Sequence, residues 1–207
     1  MCMTFAPSDW ALVRMQLLAH SLLSAKKGFT LNRSPPCAGF TAHYSDDEGR
    51  AEFEAANGKI LWDCPGITKI SRKQKASEWL LVLTAKRLFR CGPGFKTSQR
   101  GIELSEVKGI TVSDSSDSVV VVHSHQPGCD IVLNLWACDQ ENLFEFVTRL
   151  AAATMAAGFE IPVAIEDHEH IDFDNGNSQK FSTLRFMELG IERGTQWNKK
   201  EKAFVYL

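Results

Sequence analysis

The sequence contains no run approaching the roughly twenty consecutive apolar residues that a membrane-spanning helix needs. Its N-terminus carries no basic region followed by an unbroken apolar stretch, so no signal peptide is expected and any membrane contact should be peripheral. Positive charge is not in excess: 23 Lys and Arg stand against 25 Asp and Glu, for a formal net charge of −2, which argues against a nucleic-acid binder. The six cysteines, at positions 2, 37, 64, 91, 129 and 138, include no Cys-x-x-Cys spacing. A 207-residue chain that is 44% hydrophobic can build a core without disulfide staples, so reduced thiols in a cytosolic protein are expected. Catalytic signatures are missing as well: there is no phosphate-cradling glycine loop, no His-Glu-x-x-His and no Gly-x-Ser-x-Gly. Gly92-Pro93-Gly94 lacks the Lys-Ser/Thr pair of a phosphate loop and reads as a turn, and Cys64 and Cys91 lie in or beside strand-like runs, where an inert buried thiol is expected. No enzymatic activity, metal or cofactor is expected.

What is present is a local concentration of positive charge. Between Lys69 and Arg100 the chain carries Lys69, Arg72, Lys73 and Lys75, then a strand-like run Trp79–Thr84, then Lys86, Arg87, Arg90, Lys96 and Arg100. Glu78 is the only acid in this segment. Charge of one sign gathered in this way creates a field that an anionic surface can feel. Each cation near an anionic leaflet contributes about 1 kcal/mol before screening, so a handful can hold a protein there reversibly. Arg72 can fork two phosphate oxygens, whereas Lys69, Lys73 and Lys75 act as mobile point charges. The plainer alternative is that the run is the solvated face of a strand pair.

Taken in order, the chain opens with a helix capped at Ser8-Asp9, with Trp10, Val13, Leu17 and Ser21 on its docking face and Gly28 as its stop. Residues 28 to 58 read as a covering segment: turn formers at Ser45-Asp46-Asp47-Glu48-Gly49, a short helix near Arg50 to Ala56, and a turn at Asn57-Gly58. From Lys59 the pattern becomes β, beginning with a strand bent at Pro65-Gly66. Further short strands follow at Trp79–Thr84, Leu88–Cys91, Gly101–Leu104, Val107–Val112, Ser118–His123 and Asp130–Leu135. A helix capped by Asp139 then runs to about Gly158. Seven strands and one closing helix give the order of an α+β fold, a pleckstrin-homology-like antiparallel β-barrel closed by a C-terminal helix. Weaker strands at Ile161–Ile165, His170–Phe173, Leu184–Leu189 and Ala203–Leu207 add a C-terminal β extension. The expected organisation is an N-terminal helix and covering segment over 1–58, the barrel over 59–158, and the extension over 159–207 packed on the same domain.

One stretch competes as a site. In Asp167-His168-Glu169-His170-Ile171-Asp172-Phe173-Asp174 a strand would put His168, His170, Asp172 and Asp174 on one face, as metal ligands could be, with Ile171 and Phe173 toward the core. No distant Cys/His pair supports a metal, and an acidic edge that resists strand pairing is the expectation.

Three segments carry a family resemblance: KISRKQKASEWLLVLTAKRLF, IELSEVKGITVSDSSDSVVVVH and DIVLNLWACDQENLFEFVTRL. Together they resemble the tail-homology-one domain of class I myosins, from roughly residue 30 to the C-terminus and most closely over 59–150. The Val107–Ser118 motif is the most specific part. The resemblance implies a pleckstrin-homology-like domain that binds anionic phospholipids, including phosphoinositides, with Lys69 matching the lysine at the end of the first strand and Arg72 and Lys73 the basic loop after it. The family's second signature position, an arginine shortly before the Leu-rich strand, is Trp79 here. The match therefore implies charge attraction more than recognition of one headgroup. No motor head or light-chain motif accompanies it, so a free-standing tail domain or a fragment is expected. The function expected is peripheral membrane targeting through Lys69, Arg72, Lys73, Lys75, Lys86, Arg87, Lys96 and Arg100, in a cytoplasmic, membrane- or cytoskeleton-associated protein with cytoskeletal or motor-associated partners. The alternative is a protein-interaction scaffold of the actin and membrane cytoskeleton that uses the same barrel without lipid.

Overall fold

A computed structural model describes residues 7–26, 29–31, 45–69, 78–97, 101–114, 119–135, 140–166, 170–174, 182–188, 195–198 and 203–206. Apolar runs dictate its centre. Strands β1 (Ile60–Lys69), β2 (Glu78–Thr84) and β3 (Arg87–Cys91) form successive antiparallel hairpins, and the two-residue β4 (Ile102–Glu103) pairs with β3. A second meander, β5 (Val107–Ser113), β6 (Val119–Ser124) and β7 (Ile131–Asn134), joins the first where β7 pairs with the end of β1. The short β8 (Val163–Glu166) adds in parallel beside β5, so the eight-stranded order is β4-β3-β2-β1-β7-β6-β5-β8.

The runs Trp79–Leu83 and Val119–Val122 are continuously apolar because both faces of this sheet are covered. Side chains alternate across a strand, and the two sets enter different clusters. Leu81, Leu83, Trp62, Val120 and Val122 face the main core, while Leu80, Val82 and Ile60 face a second cluster and Val119 and Val121 a third. Helix α3 (Gln140–Ala156) fills the main core with Phe144, Phe146, Val147 and Leu150, and the Phe146 ring lies 5.4 Å from that of Trp62. It stops as expected: Gly158 adopts φ +89°, and the Phe159 amide bonds back to the Thr154 carbonyl at 2.8 Å. Helix α2 (Asp47–Asn57) covers the second cluster with Phe53, whose ring sits 5.1 Å from Phe89 and 5.7 Å from Phe95.

Several expectations are corrected. The described ladder is not a closed barrel: β4 and β8 are its edges, and no pairing among the described residues joins them. The result is a mixed α+β fold, with two sheets and three α-helices among the described residues. The acidic turn before Arg50 is a helix start, because Asp46 caps it by accepting from the Gly49 amide at 3.0 Å. Helix α1 (Pro7–Leu23) ends five residues before Gly28. Gln16, Ala19 and Leu23 are its buried face, and Leu17, expected on the docking face, is 51% exposed. The apolar arc of that helix is broad, so periodicity alone does not fix which side docks. Past its end, Lys26 is buried, and its Nζ donates to the Ser113 carbonyl at 2.8 Å, which fastens the helix end to the end of β5.

The tail forms a second sheet in the order β11-β12-β10-β9. Its strands are β9 (His170–Phe173), β10 (Ser182–Glu188), β11 (Thr195–Asn198) and β12 (Ala203–Tyr206). Strand β11 had no alternating pattern to reveal it. Gly109, inside the most specific sequence motif, explains one fixed point of the fold. A Cβ there would meet the Pro162 ring and carbonyl at 3.2 Å, and the next amide, Ile110, bonds that carbonyl at 3.0 Å. The missing side chain lets the chain after α3 lie against β5.

Candidate functional site

Register decides which cations share a neighbourhood. In the β1–β2 pair, Thr68 stands opposite Glu78 and Ile60 opposite Thr84. Lys69 therefore lies at the Glu78 end of the hairpin. Lys86 and Arg87, at the β2–β3 turn, lie at the Thr84 end, about 20 Å away at the usual rise per residue. Lys86 is exposed, and Arg87 is half-buried and paired with Glu103 of β4. These two are not brought together with Lys69. Arg72, Lys73, Lys75 and Arg100 lie outside the described residues.

The Glu78 end gathers other groups. Leu80 faces Cys91, so the connection from β3 to β4 leaves from here. It begins with a 3-10 turn, Pro93–Phe95, in which Phe95 adopts φ +55°. A non-glycine residue in that region is strained, and the packing of its buried ring against Phe53 offsets the cost. Lys96 follows directly and is exposed. Arg90, in the cation run but not among the expected contact residues, sits one position before the end of β3. Burial lowers the pKa of its guanidinium from the usual value, and Cys129 in the β6–β7 turn acts in the opposite sense. Trp79, where the resemblance led us to expect an arginine, is half-buried opposite Ile67. The Cys91 thiol, buried beside these groups, is pushed up to about 12 by desolvation and is inert.

The β6–β7 turn belongs to the same end, because Lys69 pairs with Leu133 and Val122 with Ile131. A polar chain not anticipated from the sequence holds it. Thr111 Oγ1 lies 2.8 Å from His123 Nε2, and His123 Nδ1 lies 3.0 Å from Asp130 Oδ2. Asp130 also accepts from the amides of Ser124 (2.8 Å) and Asp174 (2.9 Å), while Asp174 accepts from the Gly128 amide at 2.8 Å. The sequence signal was the Gln126-Pro127-Gly128 turn between two apolar strands; the partners are distant in the chain. Asp174, once a candidate metal ligand, is thus committed to this turn, and Ile171 is fully buried against Val119, Val121 and Val132 as expected. His168 lies outside the described residues. Among the described residues, no three His, Cys, Asp or Glu side chains are grouped to hold a metal.

Burial alone would raise the Asp130 carboxyl, but the bonds from His123, Asp174 and Ser124 outweigh it and hold its pKa below the ordinary value. A depressed carboxylate stabilises the fold above its unfolded pKa of about 4 and loses that contribution as pH falls through the folded value. Thermal melts of Asp130→Asn should therefore show lower stability than wild type at pH 7 and a smaller difference at pH 3. An equal difference at both pH values would show that the charge of Asp130 is not what holds the turn.

No helix among the described residues is long and apolar enough to cross a membrane. Comparison with known proteins gives a Dictyostelium discoideum myosin IF heavy chain, 22% identical over 212 residues and covering 94% of this chain. The chain spans 19% of that relative's length. Two solved structures overlap in part. The hSac2 domain of human phosphoinositide phosphatase Sac2 has a TM-score of 0.42 at 15% identity, covering 54% of this chain and 79% of that one. The truncated linker-DH/PH domains of a RhoGEF have a TM-score of 0.37 at 15% identity, covering 73% and 42%. Neither overlap is extensive enough to carry the fold. The model of the unconventional myosin tail, described as actin- and lipid-binding, matches residues 44–204, and the chain belongs to that family.

Proposed function

We propose that this chain is a peripheral membrane-targeting module that binds anionic phospholipid through one end of a pleckstrin-homology-like sheet. The observation that carries the reading is the register. Lys69 and Lys96 stand at the same end of the β1–β3 hairpins, and the eight residues that link β1 to β2 at that end include Arg72, Lys73 and Lys75. Arg100, in the link from β3 to β4, is assigned to the same interface. Lys86 and Arg87 contribute only to the long-range field. Within this reading, residues 59–158 are the lipid-facing unit, 1–58 the covering segment and 159–207 an extension of the same domain, and the protein works in the cytoplasm at a membrane surface. The family's description as lipid-binding supports it.

The test is co-sedimentation with vesicles across headgroups and salt. Binding should rise with the anionic lipid fraction, differ little between headgroups of equal charge, and fall steeply as salt shortens the Debye length from about 10 Å at 0.1 M to about 3 Å at 1 M. Binding to neutral and anionic vesicles alike, indifferent to salt, would reject the reading. The family is also described as actin-binding, which favours a second role as a cytoskeletal scaffold. Sedimentation with filamentous actin, with and without anionic vesicles, separates the two.

A further inference from the structure

The link that leaves β3 at the Glu78 end carries a hydroxyl that membrane targeting does not use. Thr97 follows Lys96 in that link and is exposed. Its hydroxyl bonds to no other described residue. Thr111 and Ser124, on the strands beside the β6–β7 turn, instead engage His123 and the Gln126 amide. The backbone entering Thr97 is extended, with Lys96 at φ −68° and ψ 112°. Two contacts hold the segment: the Gly92 amide donates to the Lys96 carbonyl at 2.8 Å, and Thr97 forms an isolated β-bridge to Cys91. An isolated bridge belongs to no ladder, so the segment can lift from β3 by a local opening that leaves the sheet intact. The flanks are basic. In Gly92-Pro93-Gly94-Phe95-Lys96-Thr97-Ser98-Gln99-Arg100 there is no acid, and a cation stands on each side of Thr97.

We infer that Thr97 is a phosphorylation site for a basophilic protein kinase, and that a phosphate there releases this end of the chain from an anionic membrane. In the transfer, Thr97 Oγ1 attacks the γ-phosphorus of ATP and the bond from that phosphorus to the β–γ bridging oxygen breaks. ADP leaves, and the hydroxyl proton passes to the catalytic carboxylate of the kinase. The product carries about 1.5 to 2 negative charges at neutral pH. Beside Lys96 these charges cancel cations that would otherwise meet the leaflet, and they repel its anionic headgroups. Kinase and membrane compete for one face: a leaflet seated on Lys96 covers Thr97, so the kinase acts on the free protein and keeps it free. The release rests on the membrane-targeting function proposed above, whereas the access of a kinase to Thr97 does not.

Full-length protein incubated with ATP and protein kinase C, a basophilic kinase, should take phosphate on Thr97, as mapped by peptide mass spectrometry. Thr97→Ala should lose that phosphopeptide without altering the melt. Anionic vesicles added first should slow the labelling. Protein carrying phosphothreonine at position 97, installed during translation, should bind anionic vesicles about tenfold more weakly than unmodified protein at low salt. The gap should narrow as salt is raised, which a folding defect would not do. Thr97→Gln, polar but uncharged, should bind as wild type. Phosphate found only on Ser98 or elsewhere would overturn the site. A loss in Thr97→Gln as large as that in the phosphothreonine protein would overturn the electrostatic switch. Vesicle binding by the unmodified protein that phosphate does not weaken removes this inference alone. Unmodified protein that ignores anionic vesicles removes the proposed function and, with it, the release, while the labelling at Thr97 still decides whether the residue is a kinase site.

Discussion

Reversing charge at Lys69, Arg72 and Lys73 together should reduce binding to anionic vesicles by at least a hundredfold while leaving the fold intact. Each cation near an anionic leaflet contributes about 1 kcal/mol, so removing three costs about 3 kcal/mol, and reversal adds repulsion of the same sign. At 1.4 kcal/mol per decade this is about two orders of magnitude or more. Position makes the prediction specific. Lys86→Glu changes one exposed charge at the opposite end of the β2–β3 hairpin. It should weaken binding by no more than about threefold, the share left to a screened long-range field. Lys96→Glu, at the same end as Lys69, should cost several-fold by itself. Equal losses from Lys86→Glu and Lys96→Glu would mean that the whole protein, and not one end of it, senses the membrane. An unchanged triple variant would sink the lipid reading outright.

The sequence pattern gave strand positions for β1 to β7 to within a residue or two, because short apolar runs were separated by strong turn signals. It did not give the faces. The runs Trp79–Leu83 and Val119–Val122 are apolar throughout, and only α2 on one side and β9 on another reveal why. The candidate site was legible as a charge run and illegible as a surface. Lys69 and Lys86 are separated by one strand in sequence, yet that strand puts them at opposite ends of a hairpin. Arg90 shows the converse. It stands among the exposed-looking cations of the run, but its strand position turns it toward Cys129 and into partial burial. The Thr111–His123–Asp130 chain was beyond reach because its order is set by cross-strand register and by a contact from β9 to the β6–β7 turn. In α1 a broad apolar arc hid the phase, and the exposed Leu17 and Leu18 are the consequence.

Arg50→Ala should be strongly destabilising, at about 3 kcal/mol. Asp63 lies in the middle of β1 and is fully buried, and Arg50 of α2 reaches it with Nη1 3.0 Å from Oδ1. Removing the arginine leaves a carboxylate in the sheet without that counter-charge, which costs far more than the pair itself contributes. A loss of this size in a chain of about 200 residues lowers the melting temperature by roughly 6–12 °C. The effect has a route to the binding end. Arg50 helps to seat α2, the Phe53 ring of α2 packs against Phe95, and Phe95 holds the strained turn that presents Lys96. Asp63→Asn in the Arg50→Ala background should recover part of the stability, since an amide needs no counter-charge, and the cycle isolates the coupling. A melt of Arg50→Ala within about 0.5 kcal/mol of wild type would show that solvent screens this pair and that aromatic packing alone seats the helix.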